Sequence, residues 1–394
     1  MSINNRFLPL LKQRRDNSLI RQRPLVTSAQ SAVMQINGQQ VINFSSNDYL
    51  GLANHPALKQ TATETESLSY GSGAAHLVTG HHLEHHLLED ELADWLGAER
   101  VLLFSTGYMA NLAVLQTLAQ KGDVVLADKL NHASLIDGAL HSQAELKRYP
   151  HLDMQALEKR LQTAQQKQQQ AIITTDTVFS MDGDLAPLDK IQALAKQYNA
   201  WTYFDDAHGV GVFGTQGRGC LNHFKQTLTE NTIVMGTLGK AFGCSGAFVA
   251  GSETVIESLI NFARPYIYTT AMSPINAKVC RTALKLVKNA NKERQKLQEN
   301  IQQFQQGTKK IGLIPHQKNW GQTRLVQSAI QVILLADSQT ALAWSEALKQ
   351  QGIWATAIRP PTVPKNTARL RITLSAAHSS EQINKLLNVL NKQI

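Results

Sequence analysis

Apolar residues are distributed along this chain in two rhythms. Strand-like runs at 101–105, 123–127, 171–179, 201–205, 232–236 and 247–250 are rich in Val, Ile, Leu, Thr and aromatic residues. Runs this short and this rich in apolar and β-branched residues mark strands covered on both faces. Between them lie stretches whose apolar positions recur at helical spacing. That alternation predicts the α/β class: a mostly parallel central sheet with helices on both faces. A helix-rich stretch at about 274–310 reads as the link into a smaller C-terminal α+β domain. Its strands are expected at Ala329–Leu335, Trp354–Ile358 and Arg369–Leu374. The expected division is an N-terminal segment at 1–44, a large domain at 45–290 and a small domain at 291–394. No internal repeat interrupts it, and the glutamine-rich stretch Gln162 to Gln170 continues a helical pattern toward an exposed end.

Composition narrows the function classes. A chain of 394 residues that is 43% hydrophobic can bury a sizeable core. Cys220, Cys244 and Cys280 are too widely spaced in sequence to suggest a metal or redox pair. No apolar stretch has the length of a membrane span or a signal-peptide core, so a cytoplasmic protein is expected, without membrane attachment. The net charge of +9 raises nucleic-acid binding as a rival class. Such a protein would gather its charge in a stripe with aromatic or helix-turn-helix context, which is missing here. An anionic small-molecule substrate accounts for the sign as well.

The chemistry starts at Lys240, in Met235-Gly-Thr-Leu-Gly-Lys-Ala-Phe-Gly-Cys-Ser-Gly246, directly after the apolar run Thr232-Ile-Val-Met. Glycines let a bound molecule approach the backbone, and an amine in a low-dielectric niche becomes a usable nucleophile or base. A Schiff-base lysine is the expectation. The stretch is no P-loop, because the Gly-to-Lys spacing is wrong and Ala241 stands where Ser or Thr is required. Alone, a lysine among glycines is usually just an exposed turn residue.

Trp201-Thr-Tyr-Phe-Asp-Asp-Ala-His-Gly209 adds a strand that ends in two carboxylates and a histidine. In open α/β sheets, ligands gather at the carboxyl ends of strands. A carboxylate there would keep the pyridine nitrogen of pyridoxal 5'-phosphate (PLP) protonated, whereas the bland alternative is an Asp-Asp pair capping the next turn. Asn131-His-Ala-Ser134 and Phe104-Ser-Thr-Gly-Tyr-Met-Ala-Asn111 also follow strand-like runs. A glycine between strand and helix offers backbone N–H groups to a phosphate, and His132 could stack on a flat ring; for either segment alone a helix cap suffices.

Together these segments make the chain resemble the α-oxoamine synthases, PLP-dependent transferases of fold type I. The resemblance runs from about Arg21 to the last helix. Its carriers are Asn43-Phe-Ser-Ser-Asn-Asp-Tyr-Leu-Gly51, Gly71-Ser-Gly73 with Gly80, Asn131-His-Ala-Ser134 and Val178-Phe-Ser-Met-Asp-Gly183. Asp205-Asp-Ala-His-Gly209, Gly239-Lys-Ala-Phe-Gly243 and Thr367-Ala-Arg-Leu-Arg-Ile-Thr-Leu374 complete the set in the family's order.

The resemblance implies that Lys240 carries the cofactor, Asp205 pairs with its pyridinium and His132 stacks on its ring. It implies that Ser180 and His208 hydrogen-bond the phenolic oxygen, while Thr237 and the backbone of Gly107 and Tyr108 grip the phosphate. Arg371 matches the arginine that holds the amino-acid carboxylate, with Asn47 as its helper, and Arg21 and Thr362 match substrate-binding positions. Ile358-Arg-Pro-Pro-Thr-Val-Pro364 resembles the branch that joins L-alanine to a pimeloyl thioester on CoA or on acyl-carrier protein. Sibling branches share the catalytic residues and differ in their acyl and amino-acid pockets. The family also implies a homodimer with shared active sites, in which Thr269 or Thr270 reaches the neighbour's phosphate.

One departure is His76, where many relatives have Arg. His81, His82, His85 and His86 form two i, i+4 pairs, which is metal-ligand spacing. With no HExxH order and no evident acidic ligand, a solvated helix face is expected there and no metal.

Overall fold

The structure, a computed structural model, describes residues 1–64, 68–313 and 326–393. It divides into two compact units: Met1–Asn47 with the described residues from Lys296 onward, and Asp48–Gln295. In chain order the strands begin with β1 (Val33–Ile36) and β2 (Gln39–Asn43). The larger unit follows with β3 (Arg100–Phe104), β4 (Val124–Asp128), β5 (Glu145–Tyr149), β6 (Ala171–Asp176), β7 (Trp201–Asp205), β8 (Thr232–Thr237) and β9 (Ala247–Gly251). The chain then adds β10 (Ile330–Ala336), β11 (Ile353–Trp354), β12 (Thr356–Ile358) and β13 (Ala368–Thr373).

The larger unit is a seven-stranded sheet in the order β3-β9-β8-β7-β6-β4-β5. Strands β5, β4, β6, β7 and β8 run parallel to their neighbours in that series, and β9 lies antiparallel between β8 and β3. Every residue of β4, β6 and β9 is buried, including Thr174, Thr175 and Asp176 of β6, as expected of strands with helices on both faces. Helix Gly107–Leu118 packs against helix Ala133–Leu140, β8 and β9. Leu102, Val114, Leu115, Leu135, Ile172 and Tyr203 belong to the core between them. Strand β5 has no counterpart among the expected strands. It is an edge strand whose Glu-Leu-Lys-Arg-Tyr sequence is mostly exposed, so it lacks the apolar run that marks a central strand.

In the other unit β10, β13 and β12 form one antiparallel sheet, and β1, β2 and β11 another. The single strand expected at Trp354–Ile358 is two strands. Residues 353–354 pair parallel with β2, and 356–358 pair antiparallel with β13. Residues 1–47 thus pack with the C-terminal part of the chain. The helical stretch at 274–310 is two helices, Pro274–Asn289 and Asn291–Lys310. Among the described residues, no helix is long and apolar enough to cross a membrane.

Candidate active site

Parallel strands place their carboxyl ends on one edge of the sheet, and here that edge carries the polar residues. The cross-strand register sets Asp176 of β6 beside Asp205 of β7, and Asp205 beside Met235 of β8. Thr237 is the last residue of β8 and Lys240 follows it, and beyond β4 comes His132. The turn-capping part expected of the paired aspartates falls to Asp205, through the Ala207 N–H. Asp206 instead ties distant segments together: it accepts hydrogen bonds from the Thr177 hydroxyl and, at 2.9 Å, from the Cys220 N–H. Burial pushes its carboxyl up to about 7 against the effect of those bonds. Gly209 is required beneath it, because a Cβ there would lie 2.0 Å from Asp206 Oδ1.

Asp205 faces the helix Gly107–Leu118. Its Oδ2 accepts from Asn111 Nδ2 at 2.8 Å, and its Oδ1 accepts from the Ala207 N–H at 3.0 Å. Both contacts suit a negatively charged acceptor. His132 is the N-cap of helix Ala133–Leu140, with an exposed ring. Its backbone N–H donates to Asp176 Oδ2 at 2.6 Å, and its Nδ1 is 2.7 Å from Ser134 Oγ. Burial and the neighbouring charge of Asp205 push the Asp176 carboxyl well above the usual range.

Lys240 is half-buried, and its Nζ lies 2.9 Å from His208 Nε2. Tyr49 Oη lies 2.5 Å from the other ring nitrogen, His208 Nδ1. The chain turns sharply after the lysine, with Gly243 N–H donating to Lys240 O at 2.9 Å. Gly243 has φ +68°, and a Cβ there would meet Ala53 N at 2.4 Å, so this position needs glycine twice over. Thr237 Oγ1 donates to Gly246 O at 3.1 Å and accepts from the Gly239 N–H at 3.3 Å.

Gly107 and Tyr108 open the helix that follows β3, where N–H groups have no acceptor within the helix; Thr106 Oγ1 caps Met109 N–H at 3.2 Å. The Tyr108 hydroxyl donates to Asp137 at 2.5 Å. Thr269 and Thr270 follow the short helix Arg264–Ile267, and Thr270 O accepts from Ser105 Oγ at 3.4 Å, two residues before Gly107. Ser180 sits at the tip of a turn closed by Gly183 N–H to Phe179 O at 2.7 Å and Phe179 N–H to Asp184 O at 3.0 Å.

That turn is anchored by a residue sequence reasoning passes over. His151 is buried with Nδ1 2.9 Å from Asp128 Oδ1 and Nε2 2.7 Å from Asp184 Oδ2. Burial alone would lower its pKa, but the two carboxylates prevail and push it up to about 10. Tyr49 and Asn111 lie inside quoted motifs without assigned roles. Their signal is present as residue type, but their partners His208 and Asp205 are 159 and 94 positions away.

The remaining predicted residues belong to the other unit. Arg371 of β13 is 8% exposed, donating to Thr373 Oγ1 at 2.8 Å and to Asn47 Oδ1 at 3.1 Å. Arg21 and Thr362 are exposed, and the Thr362 N–H donates to Arg359 O at 3.1 Å.

The histidine cluster corrects the expected solvated helix face. The helix starts at Leu83 with His82 as N-cap, so His81 and His82 precede it, and His85 is fully buried. His85 Nδ1 accepts from the His82 N–H at 2.9 Å and its Nε2 donates to Met272 O at 2.8 Å. His76, His81 and His85 bring one ring nitrogen each within 4.8 Å of one another, yet His85 has both nitrogens committed to these bonds. Burial and the neighbouring imidazoles hold His76 down at about 3.

The chain is similar to known proteins. The profile of the aminotransferase class I and II family matches residues 39–390. An 8-amino-7-oxononanoate synthase from Hydrogenovibrio crunogenus is 70% identical over 99% of this chain and 96% of its own. Among solved structures, a serine palmitoyltransferase from S. paucimobilis with a bound PLP–myriocin aldimine superposes with a TM-score of 0.92 at 29% identity, covering 100% and 98% of the two chains. An 8-amino-7-oxononanoate synthase from Francisella tularensis gives 0.77 at 34% identity, covering 89% and 97%. The fold likeness favours one branch and the sequence identity the other; identity is the better guide between branches, because sibling enzymes share a scaffold and differ in side chains. With a family profile across nearly the whole chain and a relative this similar, the chain belongs to the class I and II aminotransferase family and, within it, to the fold type I α-oxoamine synthases.

Proposed function

We propose that this chain is an 8-amino-7-oxononanoate synthase, a PLP-dependent acyltransferase of biotin biosynthesis. It condenses L-alanine with a pimeloyl thioester, releasing the thiol and carbon dioxide. The observation that carries this is the 70% identity to a curated synthase over 99% of the chain.

The donor set at the strand mouth fits PLP. An acceptor carboxylate, an exposed imidazole face, an amine and a glycine-opened helix N-terminus suit in turn a pyridinium, its ring face, an aldehyde and a phosphate. When bound, PLP supplies an electron sink for the electrons left at the amino acid's α-carbon. Asp205 holds the proton on the pyridine nitrogen, and His132 covers one face of the ring. The backbone N–H groups of Gly107 and Tyr108, with the Thr237 hydroxyl, hold the phosphate, while Ser180 and His208 hydrogen-bond the phenolic oxygen.

Lys240 would hold the cofactor's aldehyde, and its Nζ would move the α-proton of alanine. His208, 2.9 Å from that nitrogen and backed by Tyr49, orients the amine. Arg371 holds the alanine carboxylate in its planar fork, itself oriented by Asn47. Arg21 and Thr362 bind substrate, with the acyl group arriving on CoA or on acyl-carrier protein. The working unit is a cytoplasmic homodimer in which Thr269 or Thr270 reaches the partner's phosphate.

The test is a crossed assay of the purified protein: alanine, glycine and serine against pimeloyl, acetyl, succinyl and palmitoyl thioesters. Turnover highest with alanine and pimeloyl thioester is expected. A clear preference for serine with palmitoyl, or glycine with acetyl or succinyl, would move the chain to a sibling branch.

A further inference from the structure

We propose that Asn111 is a positioning residue that fixes both the aim of Asp205 and the tautomer of His132, so that the two residues on either side of the cofactor ring are set by one buried amide. The inference deepens the PLP reading and rests on it for its consequence.

The carboxylate of Asp205 can only accept hydrogen bonds. Asn111 is 1% exposed and lies one helical turn beyond Gly107. Its amide makes three hydrogen bonds: with Asp205 Oδ2 at 2.8 Å, Ser134 Oγ at 2.7 Å and the Tyr203 hydroxyl at 2.5 Å. An amide could be placed either way round, but an oxygen facing Asp205 would set acceptor against acceptor. The NH2 group therefore faces Asp205 and Ser134, and the carbonyl oxygen accepts from Tyr203.

That orientation propagates. Ser134 Oγ receives a hydrogen from Asn111, so its own hydroxyl hydrogen turns to its remaining neighbour, His132 Nδ1, at 2.7 Å. The Ser134 backbone N–H points at the same nitrogen from 3.3 Å. Two donors converge on Nδ1, which must supply the lone pair, and the ring hydrogen resides on Nε2. Tyr203 and Ser134 are fully buried, and hydrogen-bond chains without water resist reversal because each broken link leaves an unpaired group. The backbone N–H of His132 on Asp176 fixes where the ring starts. His132 thus presents its face in one tautomer, while the same amide holds Asp205 toward the pyridinium.

The test uses holoenzyme with nitrogen-15 in its histidine rings, the His132 signals being assigned by their loss in His132→Asn. The wild type should show an unprotonated Nδ1 and an Nε2–H. Asn111→Asp, of the same shape, turns the donor into an acceptor; Ser134 then donates backwards and His132 must place hydrogen on Nδ1. PLP affinity should fall about tenfold in that variant, the scale of one hydrogen bond to a charged group. Should Asn111→Asp fail to fold, Ser134→Ala keeps the Asn111–Asp205 bond and should release the tautomer alone. A wild-type signature with hydrogen on Nδ1, or an unchanged signature in Asn111→Asp or Ser134→Ala, overturns the proposal. A wild type that takes up no PLP overturns the functional reading instead and leaves the tautomer result standing.

Discussion

Two clusters of histidines and carboxylates in the larger unit share residue types and behave in opposite ways. At the strand mouth unlike groups meet: His151 lies between Asp128 and Asp184, His208 between Lys240 and Tyr49, and His132 against Ser134. At 76–86 like groups meet, with His76 Nδ1 3.0 Å from His81 Nδ1 and the His85 ring packed beside both. The same imidazole is pushed up to about 10 at His151 and down to about 3 at His76. Metal-like spacing drew attention to the second cluster, whereas donor-to-acceptor pairing distinguishes the first. Complementary partners, rather than accumulated reactive residues, mark the proposed site.

Substitutions at the two clusters should separate them by size of effect. Lys240→Ala removes the residue proposed to carry the cofactor and move the proton. Turnover should fall by roughly 10²- to 10⁴-fold; retained activity in a crossed thioester assay would remove the strand mouth from the chemistry. His151→Asn leaves two buried carboxylates facing a neutral side chain, and should destabilise the fold by about 3–5 kcal/mol in denaturant unfolding. A loss below about 1 kcal/mol would show that His151 is no charged link.

The two histidine environments also predict opposite pH dependences. His151 binds its proton more tightly folded than unfolded, so its stabilisation is full below 6.5 and is lost as pH rises toward about 10. His76 is held neutral in the fold, so its contribution runs the other way and stability is lost as pH falls from 6.5 toward about 3. Thermal unfolding across pH should show His151→Asn flattening the alkaline limb and His76→Gln the acid limb. If either variant alters the opposite limb, the assignment of the charges is wrong.

Asp205→Asn should fold normally and lose on the order of a hundredfold in turnover, since a neutral amide cannot hold a pyridinium. Full activity would reduce Asp205 to a turn residue. The smallest effect is expected at His81→Gln, where an exposed ring is replaced: less than about 0.5 kcal/mol in stability and no change in turnover. A large drop in activity there would collapse the contrast between the clusters.

Much of the strand mouth was legible because its residues sit at the ends of continuous apolar runs. Asp205 ends such a run, and Lys240 and His132 each follow one within a few positions, so parallel strands bring them to one edge. What stays hidden is pairing. Tyr49 meets His208 and Asn111 meets Asp205 only after the parallel strands are laid side by side, and no local pattern encodes it. Strand β5 was hidden for the converse reason, since an exposed edge strand need not be apolar. The solvated helix face expected of the histidines fails because the helix begins after His81 and His82 and buries His85.

The central claim is that the amine at the mouth of β8 carries the cofactor. It is tested most directly by treating the purified protein with PLP and borohydride, digesting it, and mapping the lysine that retains the reduced cofactor by mass. The account predicts a single modified peptide containing Lys240, absent in Lys240→Ala. Stable labelling of another lysine, or none in a protein that makes product, would contradict it.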